Sequence, residues 1–187
     1  MWSPETHMAR RFLRFAAALM IAGTAAGCFQ PLYAERTLTG DPSLRAALKG
    51  VDVAQIDAPG GSALARIAVE VRNAILFDFT GGGGRTPPTH RLVIALSTST
   101  GSIIVDPTTA RPEFEITSVD AHYRLVEAAT NKQVMDGSAS VRVSYDIPGQ
   151  QQRFAMLRGQ RDAQSRAARV IAEQIRARVA SFMVAGT

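Results

Sequence analysis

Few side chains in this sequence could carry chemistry. It has one thiol, Cys28, and three imidazoles, His7, His90 and His122. A zinc site needs histidines at helical i, i+4 spacing or near cysteines, and neither pattern occurs. Nucleophilic serine chemistry of the α/β-hydrolase kind needs a G-x-S-x-G elbow; GGSAL around Ser62 lacks the second glycine, and Ser62 is better placed to cap a helix. Glu113 and Glu115 would share a strand face as a carboxylate pair does, yet they adjoin a proline-bearing turn and read as solvated charge. The glycine run Gly81–Gly84 follows a helical pattern and precedes a strand, the reverse of a phosphate-binding loop, and no Lys-Ser/Thr pair ends it. His122 falls on a polar strand face. No catalytic residue, metal site or cofactor follows from this inventory, and a binding or assembly role fits better than catalysis.

The thiol is the exception. Arg10, Arg11 and Arg14 form a basic stretch, the uncharged run FAAALMIA at 15–22 follows, and small residues lead to Cys28. That order is an export signal, and the run is far shorter than the roughly 18 to 20 residues that span a bilayer. Residues 1–27 are therefore expected to be removed. Ala25, Ala26 and Gly27 before the cysteine resemble a bacterial lipobox, in which cleavage leaves Cys28 as the lipidated first residue. The alternative is a plain signal that leaves an unpaired thiol in an oxidising compartment, which exported proteins avoid. Each buried methylene contributes about 0.8 kcal/mol, so several acyl chains hold a protein firmly at a membrane.

The elements that must follow are read from periodicity. Without residues 1–27 the chain keeps 18 basic and 15 acidic side chains, a net charge of +3. About 160 residues suffice for one domain with a real core. Residues 28–50 carry Pro31, Gly40, Pro42 and Gly50 and predict a lipidated N-terminus and tether, with a short helical turn near Ser43 to Leu48. Residues 51–187 predict a single domain. A strand is expected over Val51–Asp57. Leu64, Ile67, Ala68, Val71, Ile75 and Phe79 then recur at steps of three and four, one face of a helix capped by Ser62 and stopped by the glycine run, with Arg66 and Glu70 on its wet side.

Three strands follow. Leu92, Ile94 and Leu96 alternate inward in the first, with the Ser/Thr run to Gly101 and 106–112 read as turn. Val119, Ala121, Tyr123 and Leu125 alternate in the second, and Ala139, Val141, Val143 and Tyr145 in the third, joined through Thr130, Asn131 and Lys132. In the last segment Leu157, Gln164, Ala168, Ile171, Ile175, Val179 and Phe182 fall within roughly 80° of a helical wheel. Its arginines alternate with Asp162 and Glu173 at spacings of four, as on a solvated face. The expectation is an α+β fold, β-α-β-β-β-α: a four-stranded, mostly antiparallel sheet with two helices on one face. The other face would be polar, carrying His122, Arg124, Ser138 or Ser140, Arg142 and Ser144.

CFQPLYA at 28–34, the run from Tyr123 to Ile147 ending in SYDI, and QRDAQSRAARVIAEQIRARVASFM at 160–183, in that order, resemble the lipopolysaccharide-assembly lipoprotein family LptE. The resemblance covers essentially the whole chain. It implies a non-enzymatic lipoprotein, anchored through Cys28 at the periplasmic side of the outer membrane, that partners and plugs the β-barrel LptD and assists its assembly and the insertion of lipopolysaccharide. Phe29 follows the cysteine where relatives often have Gly, and a residue other than Asp at this position is consistent with the outer-membrane sorting that the resemblance implies. The physical candidates for lipopolysaccharide contact are Arg124 and Arg142 on the polar face, with Lys132 at the hairpin tip. An auxiliary lipoprotein of a phospholipid-transporting ABC system, or a periplasmic hydrolase using His122, are the alternatives. Nucleic acid is disfavoured, because no exposed aromatics interleave with the basic residues.

Overall fold

The computed structural model describes residues 43–84, 86–104, 112–147 and 153–185. The signal, Cys28 and most of the tether lie outside these residues. The chain divides into two units, Met1–Ser43 and Leu44–Thr187.

In chain order the elements of the second unit are helix α1 (Leu44–Lys49), strand β1 (Val51–Val53), helix α2 (Ala63–Thr80), strands β2 (His90–Ile104), β3 (Pro112–Glu127) and β4 (Gln133–Asp146), and helix α3 (Arg153–Ala185). The sheet order is β1-β2-β3-β4. β1 runs parallel to β2, with Val51 opposite His90, and the other pairs are antiparallel. The expected α+β, mostly antiparallel sheet with two helices on one face is the observed one.

The alternation read from sequence sets the inner face. Leu92, Ile94, Val119, Ala121, Tyr123, Leu125, Ala139, Val143 and Tyr145 are buried. They join one core with Ile67, Val71, Ile75 and Phe79 of α2 and Ala168, Ile171, Ile175 and Val179 of α3. The antiparallel register stacks these positions across strands: Leu92 faces Leu125, Ile94 faces Tyr123, and Ala121 faces Ala139. Burying such side chains contributes about 1.5–3 kcal/mol each.

Ser62 caps α2 as expected: its backbone is extended and its Oγ accepts the Ala65 N–H at 3.0 Å. Gly81 ends the helix in the left-handed region at φ 64°, donating its N–H to Phe77 O at 2.7 Å. A side chain there would be strained, so the glycine run is a helix stop.

The structure departs from the sequence reading in several places. The Ser/Thr run 97–102 is strand, because β2 and β3 stay in register from His90 to Ile103; threonine is β-branched and suits a strand as well as a turn. The expected strand over Val51–Asp57 is only three residues long. The short helical turn expected near Ser43 to Leu48 is observed as Leu44–Lys49, but it belongs to the folded unit rather than to the tether, with Leu44 and Leu48 in the core. Leu157 is 45% exposed. Gly159 already sits against Tyr145 near the end of β4, so the first residues of α3 run past the sheet. Arg66 and Glu70 are exposed as expected and also reach the last helix: Arg66 Nη2 donates to the buried Gln164 Oε1 at 3.2 Å, and Ser165 Oγ donates to Glu70 Oε1 at 3.0 Å.

With the Asp78–Arg176 ion pair at 3.6 Å, these contacts advance along α2 and α3 in the same direction. The two helices therefore run roughly parallel. Ala163, Ala167, Ala168, Ala172 and Ala180 are all buried on α3. Side chains this small let the helix approach its neighbours closely, the part of the stripe that a search for large apolar residues passes over.

Candidate functional site

The outer sheet face is built from the residues that alternate with the core set. Arg91, Ala95, Ser97 and Ser99 on β2, Asp120, His122 and Arg124 on β3, and Asp136, Ser138, Ser140, Arg142 and Ser144 on β4 lie on it, most of them exposed. Among the described residues no helix covers them, so the described sheet is apolar on one side and wet on the other.

Register decides which cations can act together. Arg124 stands opposite Asp136, whereas Arg142 stands opposite Ser118. Six residues of β3 separate those positions, about 20 Å at roughly 3.4 Å per residue. Arg124 and Arg142 thus share a face without forming one site. Lys132 lies just past the Gln133–Val126 pair, at the same end as Arg124.

Sequence reasoning missed a third cation at that end. Arg91 is opposite Val126, and Val93 is opposite Arg124. Arg91 is therefore a diagonal neighbour of Arg124, within reach of a long side chain. Only the β2–β3 register could reveal this, since the two residues are far apart in sequence. Among the described residues the ion pairs are Arg166–Asp162 at 2.8 Å and Arg176–Asp78, so Arg91, Arg124, Lys132 and Arg142 carry none. Unpaired cations at the tip of a wet sheet are available to an anionic ligand. Of the α3 spacings of four, only Asp162–Arg166 is realised as a bridge among the described residues, with Arg166 Nη2 also donating to Ser144 O at 3.3 Å.

The catalytic candidates are placed otherwise. His122 is exposed opposite Ser138. His90 Nδ1 lies 3.0 Å from Thr89 Oγ1. Glu115 is half-buried in β3 rather than solvated in a turn, and its carboxylate accepts the Tyr145 hydroxyl. Burial raises the Tyr145 phenol well above its ordinary range, and the hydrogen bond and charge of Glu115 push it further. Burial also raises Tyr123, while Arg178 pulls it the other way. Both tyrosines are thereby held neutral as core groups. Among the described residues no three His, Cys, Asp or Glu side chains come together in a metal-binding group, and no helix is long and apolar enough to cross a membrane.

Comparison with known proteins adds to this geometry. The family described as LptE, lipopolysaccharide-assembly, matches residues 48–179, which takes in every strand and most of both long helices. A chain described as a lipoprotein from Caulobacter crescentus superposes with a TM-score of 0.58 at 19% identity, covering 77% of this chain and 97% of that one. Rare lipoprotein B from Shewanella oneidensis superposes at 0.52 with 12% identity, covering 72% and 96%. At such identities the two share the fold with this chain. No curated protein matches it by sequence.

Proposed function

The chain belongs to the LptE lipopolysaccharide-assembly family, and on that premise we propose that it is a non-enzymatic outer-membrane lipoprotein that partners and plugs the LptD β-barrel. In this reading Cys28 carries the acyl chains, the folded domain sits in the polar lumen, and the protein assists barrel assembly and the insertion of lipopolysaccharide into the outer leaflet. The observation that carries the reading is the family match across nearly the whole folded unit. The architecture is compatible with it. A large barrel has a polar interior, and a sheet with one hydrophilic face suits such a lumen better than a lipid-facing surface.

Lipopolysaccharide is anionic through its phosphates, so unpaired guanidinium and ammonium groups are the chemistry that would hold it. Arg124, Lys132 and Arg142 are the proposed contacts, and Arg91 joins Arg124 and Lys132 at the hairpin end. Arg142 would be a separate, secondary contact.

Detergent extraction of the tagged native protein, followed by identification of what remains bound, tests the partner. A large outer-membrane barrel in stoichiometric amount is expected. Recovery of an inner-membrane ATPase complex instead, or of the chain alone, would overturn the proposal.

A further inference from the structure

The two edges of the sheet are not alike. The β1-side bonds fix which peptide groups of β2 face outward: His90 N donates to Gly50 O at 3.2 Å, and Leu92 O accepts from Ala54 N at 2.9 Å. Even-numbered residues of β2 therefore aim N–H and C=O away from β3, and odd-numbered ones bond to it. β1 ends at Val53, opposite Leu92. Beyond it, among the described residues, Ile94, Leu96, Thr98 and Thr100 have no strand beside them to pair with.

Long open edges invite pairing, and proteins usually guard them with charge, proline or a covering group. The β4 edge is guarded: Arg166 donates to Ser144 O, and Asp136, Arg142 and Asp146 line the strand. The β2 edge is not. From Leu92 to Ile104 the sequence LVIALSTSTGSII has no charge and no proline. Ala95, Ser99 and Thr100 are exposed, and Leu96 and Thr98 are only half-covered.

We propose that the β2 edge from Ile94 to Thr100 receives an extended, uncharged segment of the partner polypeptide as a fifth strand. The inference rests on the barrel reading and names where that partner docks. Main-chain bonds supply such an interaction, and alternate side chains set its specificity. Beside Leu96 and Thr98 on the helix-covered side the added strand would place apolar residues; beside Ala95, Ser97 and Ser99 it would place small polar ones. A closed barrel wall has no free edge to offer, so the segment must come from a loop reaching into the lumen. A second copy of this chain is the poorer occupant, because each copy without residues 1–27 bears the same formal net charge of +3 and like charge opposes self-association.

Amide hydrogen exchange on the extracted barrel complex, resolved to single residues and compared with the free chain, provides the test. Strand addition slows the amides of Leu96, Thr98 and Thr100 by about tenfold or more, while Ala95, Ser97 and Ser99, already bonded to β3, hardly change. Thr100→Pro removes an outward donor without breaking the β2–β3 ladder and should weaken the complex by about fivefold or more. Thr100→Lys keeps the donor, guards the edge and should do the same; thermal melts of the free variants establish that each folds. If the barrel binds and the even-numbered amides exchange as in the free chain, this inference fails and the barrel reading stands. If no barrel binds, both fall. Alternating protection that appears in the free chain as its concentration rises would make the occupant a second copy and overturn the proposal.

Discussion

At the scale of single residues, two positions on the inner face are set by what lies opposite them. Gly137 pairs with Tyr123, and a Cβ there would meet the tyrosine Oη at 2.6 Å and Cζ at 2.7 Å. The ring lies over the glycine, so the aromatic covers backbone that no other side chain fills. Gly137→Ala should lower stability by about 1–3 kcal/mol in urea unfolding. Ser138→Ala, exposed on the next position, should stay within about 0.5 kcal/mol. Thr117 is the converse case: it is 1% exposed, opposite Val143, and its Oγ1 finds no hydrogen-bond partner among the described residues. A buried hydroxyl without a partner costs more than an isosteric methyl. Thr117→Val should raise stability by about 1 kcal/mol, and a lower melting temperature would mean that the hydroxyl has a partner in solution. Neither site was legible in the sequence, because each depends on which strand residue stands opposite.

At the scale of elements, the pattern of period two fixed the faces while the lengths escaped it. Val119 to Leu125 and Ala139 to Tyr145 could be assigned inward from alternation alone, and the structure buries or half-buries every inward position of both runs. The second half of β2 could not, since serine, threonine and glycine serve turns and strands equally and only pairing to β3 decides. The same limit split the candidate binding face. Alternation put Arg124 and Arg142 on one face, and register then set them about 20 Å apart. It follows that they should act independently on lipopolysaccharide. Arg124→Ala should weaken binding measurably, more so at low ionic strength, and adding Arg142→Ala should contribute a separate increment, with coupling below about 0.5 kcal/mol. Arg91→Ala, by contrast, should couple to Arg124→Ala, because the two are diagonal neighbours on one end of the sheet. Both are exposed strand positions, so the melting temperature should hardly move. Unaltered binding in the Arg91, Arg124 and Arg142 triple variant would remove this face as the lipid site and leave the fold untouched.

At the scale of the whole molecule, the folded unit begins earlier than the sequence suggests, and this bears on how an anchored domain can be held. Proline and glycine between 29 and 50 argued for tether up to Gly50, yet Leu44 is 6% and Leu48 3% exposed, both packed in the core with Ile67 and Val71. If Cys28 is the lipid attachment point, 15 residues rather than 22 lie between it and the first core side chain, a reach of at most about 58 Å. Anchoring and folding then rest on different residues and should separate cleanly. Leu44→Ala with Leu48→Ala should lower stability by about 4 kcal/mol or more, since each truncation leaves a cavity in the core, while membrane retention in fractionated cells persists for whatever folds. Cys28→Ala should do the opposite: the urea midpoint of the purified domain stays where it was, and the chain is lost from the outer-membrane fraction or accumulates as uncleaved precursor. A Cys28→Ala protein that fractionates normally at mature size would show that something other than acyl chains holds the domain at the membrane.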